Sequence, residues 1–486
     1  MRAILKGLFI SVETSVNKTN SAGTGTPGLW ASLAESIRGT NQDFTEGSIG
    51  RAIVLLAVPM VLEMCMESLF SVVDVFWVAR LGADAITTVG LTETGLTMVY
   101  VIALGLAMGA TALVSRRIGE KDEEAAGLVA VQAIAAGVAI AAAVAALGCY
   151  FAPQLLGVMG ASDQVVRTGT NYTRMIYGGS VTIFLLFLIN AVFRGAGDAA
   201  VAMRALWLAN IVNIALNPCL IFGVGPFPKL GVTGSAVGTT IGRGAGVLFQ
   251  LWVLIDGRSR LRIHAAQLRL DLRVMARLIR LSLSTMFQYA VQMASWIGVV
   301  RIMASFGSAA VAANTLAIRI IIFAILPSWG MSNAAATLVG QNLGAHKPDR
   351  AEASAWRTGL YNMLFLGAVG VVFIAFAPGI IGLFTTDPAV APLAVSGLRI
   401  FSLGYVSYAY GMVLSAAFNG AGDTFTPTVL NLISFWACQL PLAWYLAVHS
   451  GFGPRGVFIT VVIADSLLAV LSIALFRRGG WKKTRV

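Results

Sequence analysis

The chain has 486 residues, of which 57% are hydrophobic and 12% are charged, and its mean hydropathy is +0.80. Soluble domains contain about 45–50% apolar and about 25% charged residues, so this composition excludes an ordinary soluble protein and indicates an integral membrane protein. A net charge of +12 suggests nucleic-acid binding in a soluble protein. Here the basic residues lie between apolar runs, so we expect no nucleic-acid partner.

The first 45 residues form a polar extension rich in Ser, Thr, Gly and Asn. Its apolar run ILKGLFI is short and contains Lys6, unlike the apolar core of a signal peptide. We therefore expect residues 1–45 to be a disordered cytoplasmic tail.

About twelve apolar runs follow, each near the ~20 residues that cross a bilayer as a helix. The predicted domains are an N-terminal six-helix bundle (46–255), a cytoplasmic linker (256–277), a C-terminal six-helix bundle (278–478) and a cytoplasmic tail (479–486). The predicted spans are 53–79, 93–115, 127–150, 168–192, 203–223, 232–254, 278–304, 313–340, 357–378, 394–418, 427–448 and 456–476.

Basic residues are concentrated in alternate loops. The stretch 256–280 is dense in arginine and the chain ends RRGGWKKTRV, whereas the intervening loops carry little beyond Lys229 and Arg455. By the positive-inside rule, both termini are cytoplasmic, and the chain is a multi-pass protein of the plasma (inner) membrane. The arginines of 256–280 are also placed to contact anionic lipid headgroups.

The two halves of the chain resemble each other at a constant offset. FRGAGD begins at Phe193 and FNGAGD at Phe418, an offset of 225 residues (418 − 193). The same offset aligns ALVSRRIG at 112–119 with TLVGQNLG at 337–344. Because each half has an even number of spans, the halves enter the membrane in the same orientation. This parallel repeat predicts two pseudo-symmetric six-helix bundles with a central cleft, an arrangement suited to alternating access.

Charged residues lie inside the first span, where they are costly and therefore mark candidate functional sites. Glu63, Glu67, Ser71 and Asp74 fall within an arc of roughly 100° on a helix, so they form one polar stripe. Such a stripe either hydrogen-bonds neighbouring helices or binds a coupling cation or substrate. With no basic residue apparent nearby within the membrane, we favour binding.

Asn210, Asn213 and Asn217 share one face of the fifth span. Amide oxygens and a carboxylate suit Na⁺, and also a hydrogen-bonded proton, although asparagines also join membrane helices structurally. At the 225-residue offset, the second half is polar but neutral, with Gln288, Tyr289, Gln292 and Trp296. We expect the first bundle to hold the coupling ion and the second to help line the substrate cleft. Pro59 is predicted to kink the first helix.

No catalytic or metal-binding motif emerges, and the four cysteines lie within spans without metal-like spacing. We therefore predict a transporter rather than an enzyme, with no cofactor and no structural metal. The chain has enough spans to work alone, so a monomer is expected.

The segments FTEGSIGRAIVLLAVPM, FRGAGD, NIALNP, VGQNLGA and FNGAGD resemble the multidrug and toxic compound extrusion (MATE) family, from about residue 44 to about 478. The resemblance implies a V-shaped pair of bundles that exports organic cations and amphipathic drugs in exchange for H⁺ or Na⁺. It also assigns roles: Asp74 matches the coupling Asp of the first helix, Asn213 the Asn of the fifth and Ser235 a hydroxyl residue of the sixth. Asn217 stands where those members have Asp, which leaves the ion and its stoichiometry open.

Other members of the family use a Glu on the seventh helix, where this chain has Gln288. Glu63 and Glu67 are then candidates for attracting cationic substrates. The alternatives are a lipid or oligosaccharide-lipid flippase of the same shape, which should have a cleft rich in basic residues, and a dedicated metabolite exporter. A membrane-embedded enzyme or a channel is less consistent with the sequence.

Overall fold

The computed structural model describes residues 29–40, 42–257 and 259–484. A short helix, α1 (Leu29–Arg38), precedes a bundle of long helices. Helices α5 and α6 meet at Gly179, and a bend of 55° separates α12 from α13. The remaining bounds are α2 (Ile49–Ala79), α3 (Ala83–Gly119), α4 (Glu123–Val158), α5 (Asp163–Gly178), α6 (Ser180–Ala196), α7 (Ala199–Phe222), α8 (Val232–Asp256), α9 (Leu272–Ala304), α10 (Ser308–Gly344), α11 (Pro348–Gly382), α12 (Ala391–Leu403), α13 (Tyr405–Gly420), α14 (Phe425–His449) and α15 (Pro454–Arg477).

The helices account for every predicted span. Within the described residues, nine helical stretches are long and apolar enough to cross a membrane, and the bent pair α12–α13 makes ten. The other two spans are α8 and α9, of 25 and 33 residues, which carry more polar side chains. The predicted all-α architecture is confirmed. Helix α2 is continuous through Pro59.

Local side chains fix several helix starts. The Asp122 carboxylate accepts the N–H of Ala125 at 2.9 Å and caps α4. The Asp271 carboxylate accepts the N–H groups of Arg273 and Val274, so α9 begins at Leu272. Helix α9 therefore starts inside the stretch 256–277 that the sequence predicted to be a linker.

The repeated Gly-Asp turn has the same geometry in both halves. Gly197 and Gly422 have φ of +94° and +87°, a left-handed conformation that favours glycine. The next residue in each turn then donates its N–H back to the helix: Asp198 to the Phe193 carbonyl at 2.8 Å, and Asp423 to the Phe418 carbonyl at 3.0 Å. The repeat in sequence is thus a repeat in structure.

One end of the bundle carries Arg116 and Arg117 on the last turn of α3 and the loop residues Lys121, Arg260 and Lys347, and we call it the basic end. The halves cross through small residues nearer the middle of α3 and α10. A Cβ on Gly105 would overlap Met286 of α9, and one on Gly330 would overlap the Met60 backbone of α2. These crossings are equivalent, because Gly330 lies 225 residues after Gly105 (330 − 105).

Helices α3 and α10 also meet each other near the basic end. Gly119 packs on the backbone of Gln341, and the equivalent Gly344 packs on the backbone of Arg116. Between these contacts, Gly340 faces Ser115, and the two occupy equivalent positions (340 − 115 = 225). This pair therefore lies on the pseudo-twofold axis, and the halves are closely packed at the basic end.

The N-terminal extension is folded over part of its length, which corrects the predicted tail. Residues 29–38 form α1, and Phe44 is 1% exposed. Phe44 belongs to a core cluster with Leu56 of α2 and Leu338 of α10. The burial of an aromatic side chain explains the order that polar composition alone did not predict. Residues 1–28 and 41 lie outside the described part.

Basic residues of both halves hold this segment through its backbone carbonyls. Arg204 donates to the carbonyls of Ile37 and Arg38, and Arg260 donates to the carbonyl of Gln42. From the second half, Lys347 donates to the Thr45 carbonyl at 3.0 Å and Arg350 to the Glu46 carbonyl at 2.7 Å. We call residues 37–40 and 42–47 the N-terminal strap, since they bridge the halves at the basic end.

The C-terminal tail predicted for 479–486 is also packed where it is described. Trp481 is 1% exposed and stacks on Phe476 with ring centroids 4.4 Å apart. Arg116 of the first half donates to the Thr484 carbonyl at 3.0 Å. Residues 485–486 of that prediction lie outside the described residues.

Candidate functional site

A buried carboxylate of α2 is hydrogen-bonded by two other helices. Asp74 Oδ1 accepts from Asn217 Nδ2 of α7 at 2.7 Å and from Ser235 Oγ of α8 at 2.8 Å. All three side chains are buried. The four predicted coupling residues were Asp74, Asn213, Asn217 and Ser235, and the structure brings three of them into one hydrogen-bonded group.

The fourth, Asn213, lies one helical turn from Asn217 on the same face of α7. Its Nδ2 donates to Thr239 Oγ1 of α8 at 2.9 Å, so Thr239 extends the polar group; sequence reasoning missed it. The side-chain oxygens of Asn213 and Asn217 are buried and accept no hydrogen bond from any residue that the structure describes. Gly238 lies against Asn217, which leaves no room for a side chain at that point of α8.

We call Asp74, Asn213, Asn217, Ser235 and Thr239 the α2–α7–α8 polar group. Its chemistry fits a small hard cation, because such ions take carboxylate, amide and hydroxyl oxygens as ligands. It equally fits a proton on the Asp74 carboxylate. No cluster of three or more His, Cys, Asp or Glu side chains that would suit a transition metal occurs in the described part of the chain.

An arginine lies close to this group. Arg243 of α8 donates to the Tyr100 hydroxyl at 3.1 Å and is within electrostatic range of Glu67 and Asp74. The sequence analysis did not single out Arg243, although an arginine inside the sixth span was a visible signal.

The acidic residue nearest the basic end of the stripe is neutralised. Glu63 Oε1 accepts from Arg194 Nη1 and from Asn190 Nδ2, both at 2.9 Å, and Gln250 donates to Asn190 Oδ1. The Glu63 and Arg194 side chains are 2% and 8% exposed. The expectation that the acidic stripe has no basic neighbour within the membrane was therefore wrong. Arg194 lies on the buried last turn of α6, directly before the repeated Gly-Asp turn.

Two overlapping cavities lie between the halves. One, of about 330 Å³, reaches toward the basic end, and the other, of about 500 Å³, toward the opposite end. Beyond the second cavity, Glu93 of α3 and Arg319 of α10 are exposed. The residues that line both cavities are Tyr100, Leu104, Tyr289, Gln292, Trp329, Tyr408, Phe435 and Asp465.

Most of the residues predicted for the substrate cleft lie at these cavities. Glu63, Glu67 and Gln288 line the first, Trp296 lines the second, and Tyr289 and Gln292 line both. Gln288 accepts a hydrogen bond from Asn419 at 3.2 Å. Ser71 is the exception, because it is exposed and contributes to neither cavity lining.

Asp465 of α15 was missed by the sequence analysis, which described the second half as neutral. It lines both cavities and is half-buried. A single carboxylate within the apolar run VVIADSLLAV was the available signal. The residue at the equivalent position of the first half (465 − 225) is Thr240, so the internal comparison gave no hint of it.

A model of the MatE family matches residues 59–219 and 281–445. The chain is 26% identical over 452 residues to a probable multidrug resistance protein, YoeA, of Bacillus subtilis, covering 92% of this chain and 97% of that protein. It is 25% identical to the probable multidrug resistance protein NorM of Thermotoga maritima (90% and 94%). It is also 24% identical to an FAD transporter of Shewanella oneidensis (88% and 95%).

Solved structures of the same family resemble the fold of this chain. A MATE protein in complex with MaL6 superposes with a TM-score of 0.85 at 26% identity, covering 91% of this chain and 99% of that one. An outward-facing multidrug resistance MATE transporter of the MOP superfamily gives 0.84 at 26% identity (91% and 98%). The family consists of transporters rather than enzymes. The chain therefore belongs to the MatE family of multidrug and toxic compound extrusion transporters.

Proposed function

We propose that this protein exports organic cations and amphipathic drugs in exchange for H⁺ or Na⁺. The observation that carries the proposal is the relation between the α2–α7–α8 polar group and the cavities. The group is buried within the first half, whereas the cavities lie between the halves. An ion and a substrate then occupy separate sites, and α2 contributes to both through Asp74 and Glu67.

Separate sites for the ion and the substrate allow coupled transport by alternating access. Binding of H⁺ or Na⁺ at Asp74 changes the charge next to Arg243 and the packing of α2 against α7 and α8. A ligand shifts a conformational equilibrium only by its difference in affinity for the two states. We propose that the ion and the drug favour opposite states, so that inward movement of one drives outward movement of the other.

The cavity geometry suits release on the side away from the basic end. The halves pack closely at Gly119, Gly340 and Gly344, while the opposite end carries exposed polar residues on α3 and α10. We propose that the basic end and both termini face the cytoplasm, in line with the positive-inside rule. The described conformation then faces outward, the membrane is the plasma membrane, and the functional unit is a monomer.

A flippase is the second candidate, since Arg194 and Arg243 lie in the first half and basic residues would hold lipid phosphates. Both arginines have partners, however: Arg194 pairs with Glu63, and Arg243 binds Tyr100 beside Glu67 and Asp74. This arrangement favours cationic over anionic substrates.

The test is uptake of a fluorescent organic cation into inside-out proteoliposomes, with either a pH gradient or a Na⁺ gradient imposed. We expect one gradient to drive uptake by the wild type and Asp74→Asn to lose it. Asp84→Asn is the matched control, because Asp84 is an exposed carboxylate in the first turn of α3, outside both cavities. If neither gradient drives uptake of any tested cation, the proposal is wrong and a flippase or narrow metabolite carrier is favoured.

A further inference from the structure

Asp465 is a carboxylate placed where the two cavities overlap. It lies on α15 in the second half, among Tyr289, Trp329, Tyr408 and Phe435, which line the same overlap. Any molecule that fills either cavity therefore passes or contacts this group of side chains.

The charge of Asp465 is not balanced by the protein. Among the residues that the structure describes, none forms a hydrogen bond or an ion pair with its carboxylate. A charged side chain at membrane depth is costly unless it faces water or a partner, so an unpaired one that faces a cavity indicates a ligand of opposite charge.

The other acidic residues near the cavities differ from Asp465 in this respect. Glu63 is paired with Arg194, and Asp74 is hydrogen-bonded and lines neither cavity. Glu67 lines one cavity but lies within electrostatic range of Arg243. Asp465 is thus the cavity carboxylate with no cationic neighbour among the described residues.

We propose that Asp465 binds the positive centre of the transported cation and that the surrounding aromatic side chains complete its site. Aromatic rings attract ammonium groups through the negative potential of their faces, and the attraction is stronger when water is excluded. Cavities of about 330 and 500 Å³ fall in the range of ~300–1,000 Å³ typical of sites for drug-sized molecules. The ligand class is a monovalent quaternary or tertiary ammonium compound with an apolar body. This inference rests on the proposed function and names the residue that gives it cation preference.

The test compares binding of a fluorescent trimethylammonium compound with binding of its uncharged tert-butyl isostere to the purified protein. We expect Asp465→Asn to weaken binding of the cation by at least about tenfold and to leave the isostere within about twofold. Asp465→Glu should retain the preference for the cation. Asp84→Asn serves again as the control.

The outcomes separate this inference from the proposed function. If the wild type transports the cation and Asp465→Asn binds it with unchanged affinity, the inference is wrong while the function stands. If Asp465→Asn binds the cation normally but loses only gradient-driven uptake, Asp465 couples the ion instead, which also overturns the inference. Should Asp465→Asn fail to fold, Trp329→Leu tests the same site. It should weaken binding of the cation more than that of the isostere, and equal weakening would contradict the proposal.

Discussion

Glu63 and Arg194 form a buried ion pair between α2 and α6, with Oε1 and Nη1 2.9 Å apart. Asn190 also donates to Glu63, so the pair belongs to a small network rather than standing alone. The network neutralises one end of the acidic stripe and joins two helices of the first half.

Removing one partner of this pair should lower the free energy of unfolding more than removing both partners does. We expect Glu63→Gln or Arg194→Met to lower the free energy of unfolding by about 3–5 kcal/mol, because each leaves a buried group unpaired. The double variant Glu63→Gln/Arg194→Met should recover much of that loss. Thermal unfolding in detergent measures it, and simple additivity of the two changes would contradict this account.

Gly238 should be essential for coupling but not for folding. A Cβ at this position would overlap the Asn217 side-chain oxygen, so Gly238→Ala should turn Asn217 away from Asp74. We expect gradient-driven uptake to fall by about tenfold. This factor corresponds to ~1.4 kcal/mol, about the contribution of the one charge-assisted hydrogen bond that is lost.

The control for Gly238→Ala is Gly244→Ala on the same helix, where the added Cβ would lie at ordinary contact distance, 3.9 Å, from Thr182. It should stay within about twofold of the wild type. Equal effects of the two variants would show that helix α8 tolerates neither change and that Asn217 is not specifically involved.

The close packing at the basic end should depend on Gly119. A Cβ there would overlap the carbonyl of Gln341, which is backbone and cannot rotate away. We expect Gly119→Ala to destabilise the closed basic end by about 1–3 kcal/mol and to separate the halves there. Gly90→Ala, with open space around its Cβ, is the control.

Spin labels at Glu123 and Arg357, both exposed at the basic end, would report this separation as a longer distance. An unchanged distance distribution in Gly119→Ala would argue against a role for this crossing in keeping the basic end closed.

Phe44 should anchor the N-terminal strap. Its ring is buried against α2 and α10, and Arg260 lies over it with the guanidinium carbon 5.1 Å from the ring centroid. We expect Phe44→Ala to lower the stability by about 3–5 kcal/mol. Substitution of Trp30, which is 83% exposed on α1, should have little effect on stability. Similar losses for both positions would mean that the strap does not depend on Phe44.

The sequence predicted the elements whose signals are local. Hydropathy located the twelve spans, and helical spacing put Asp74, Asn213 and Asn217 on faces that the structure brings together around α8. Ser235 came from the family resemblance. Its hydrogen bond to Asp74 depends on how α8 packs against α2, which no local pattern specifies.

The residues that were missed depend on contacts that are distant in sequence. Arg194 directly precedes the Gly-Asp turn, and its partner Glu63 lies 131 residues away, so no local pattern links the two. Nothing in the sequence around Thr239 distinguishes it from other helix residues, and its role comes only from the hydrogen bond that Asn213 donates to it. The strap looked disordered because its polar composition gives no sign of the two causes of its order, which are the burial of Phe44 and the hydrogen bonds from Arg204, Arg260, Lys347 and Arg350.

The crossing of α3 and α10 at Ser115 and Gly340 has a consequence for how such a chain arises. In a homodimer of identical halves, a residue on the twofold axis meets its own copy. A dimer of the first half alone would bring Ser115 against a second serine, and the added side chain would force the two helices apart. Fusion of the halves removes this constraint, because one copy can keep a hydroxyl while the other becomes glycine. The tight crossing on the axis thus requires different residues at the two equivalent positions. A gene duplication permits this difference, and a symmetric dimer of the first half does not.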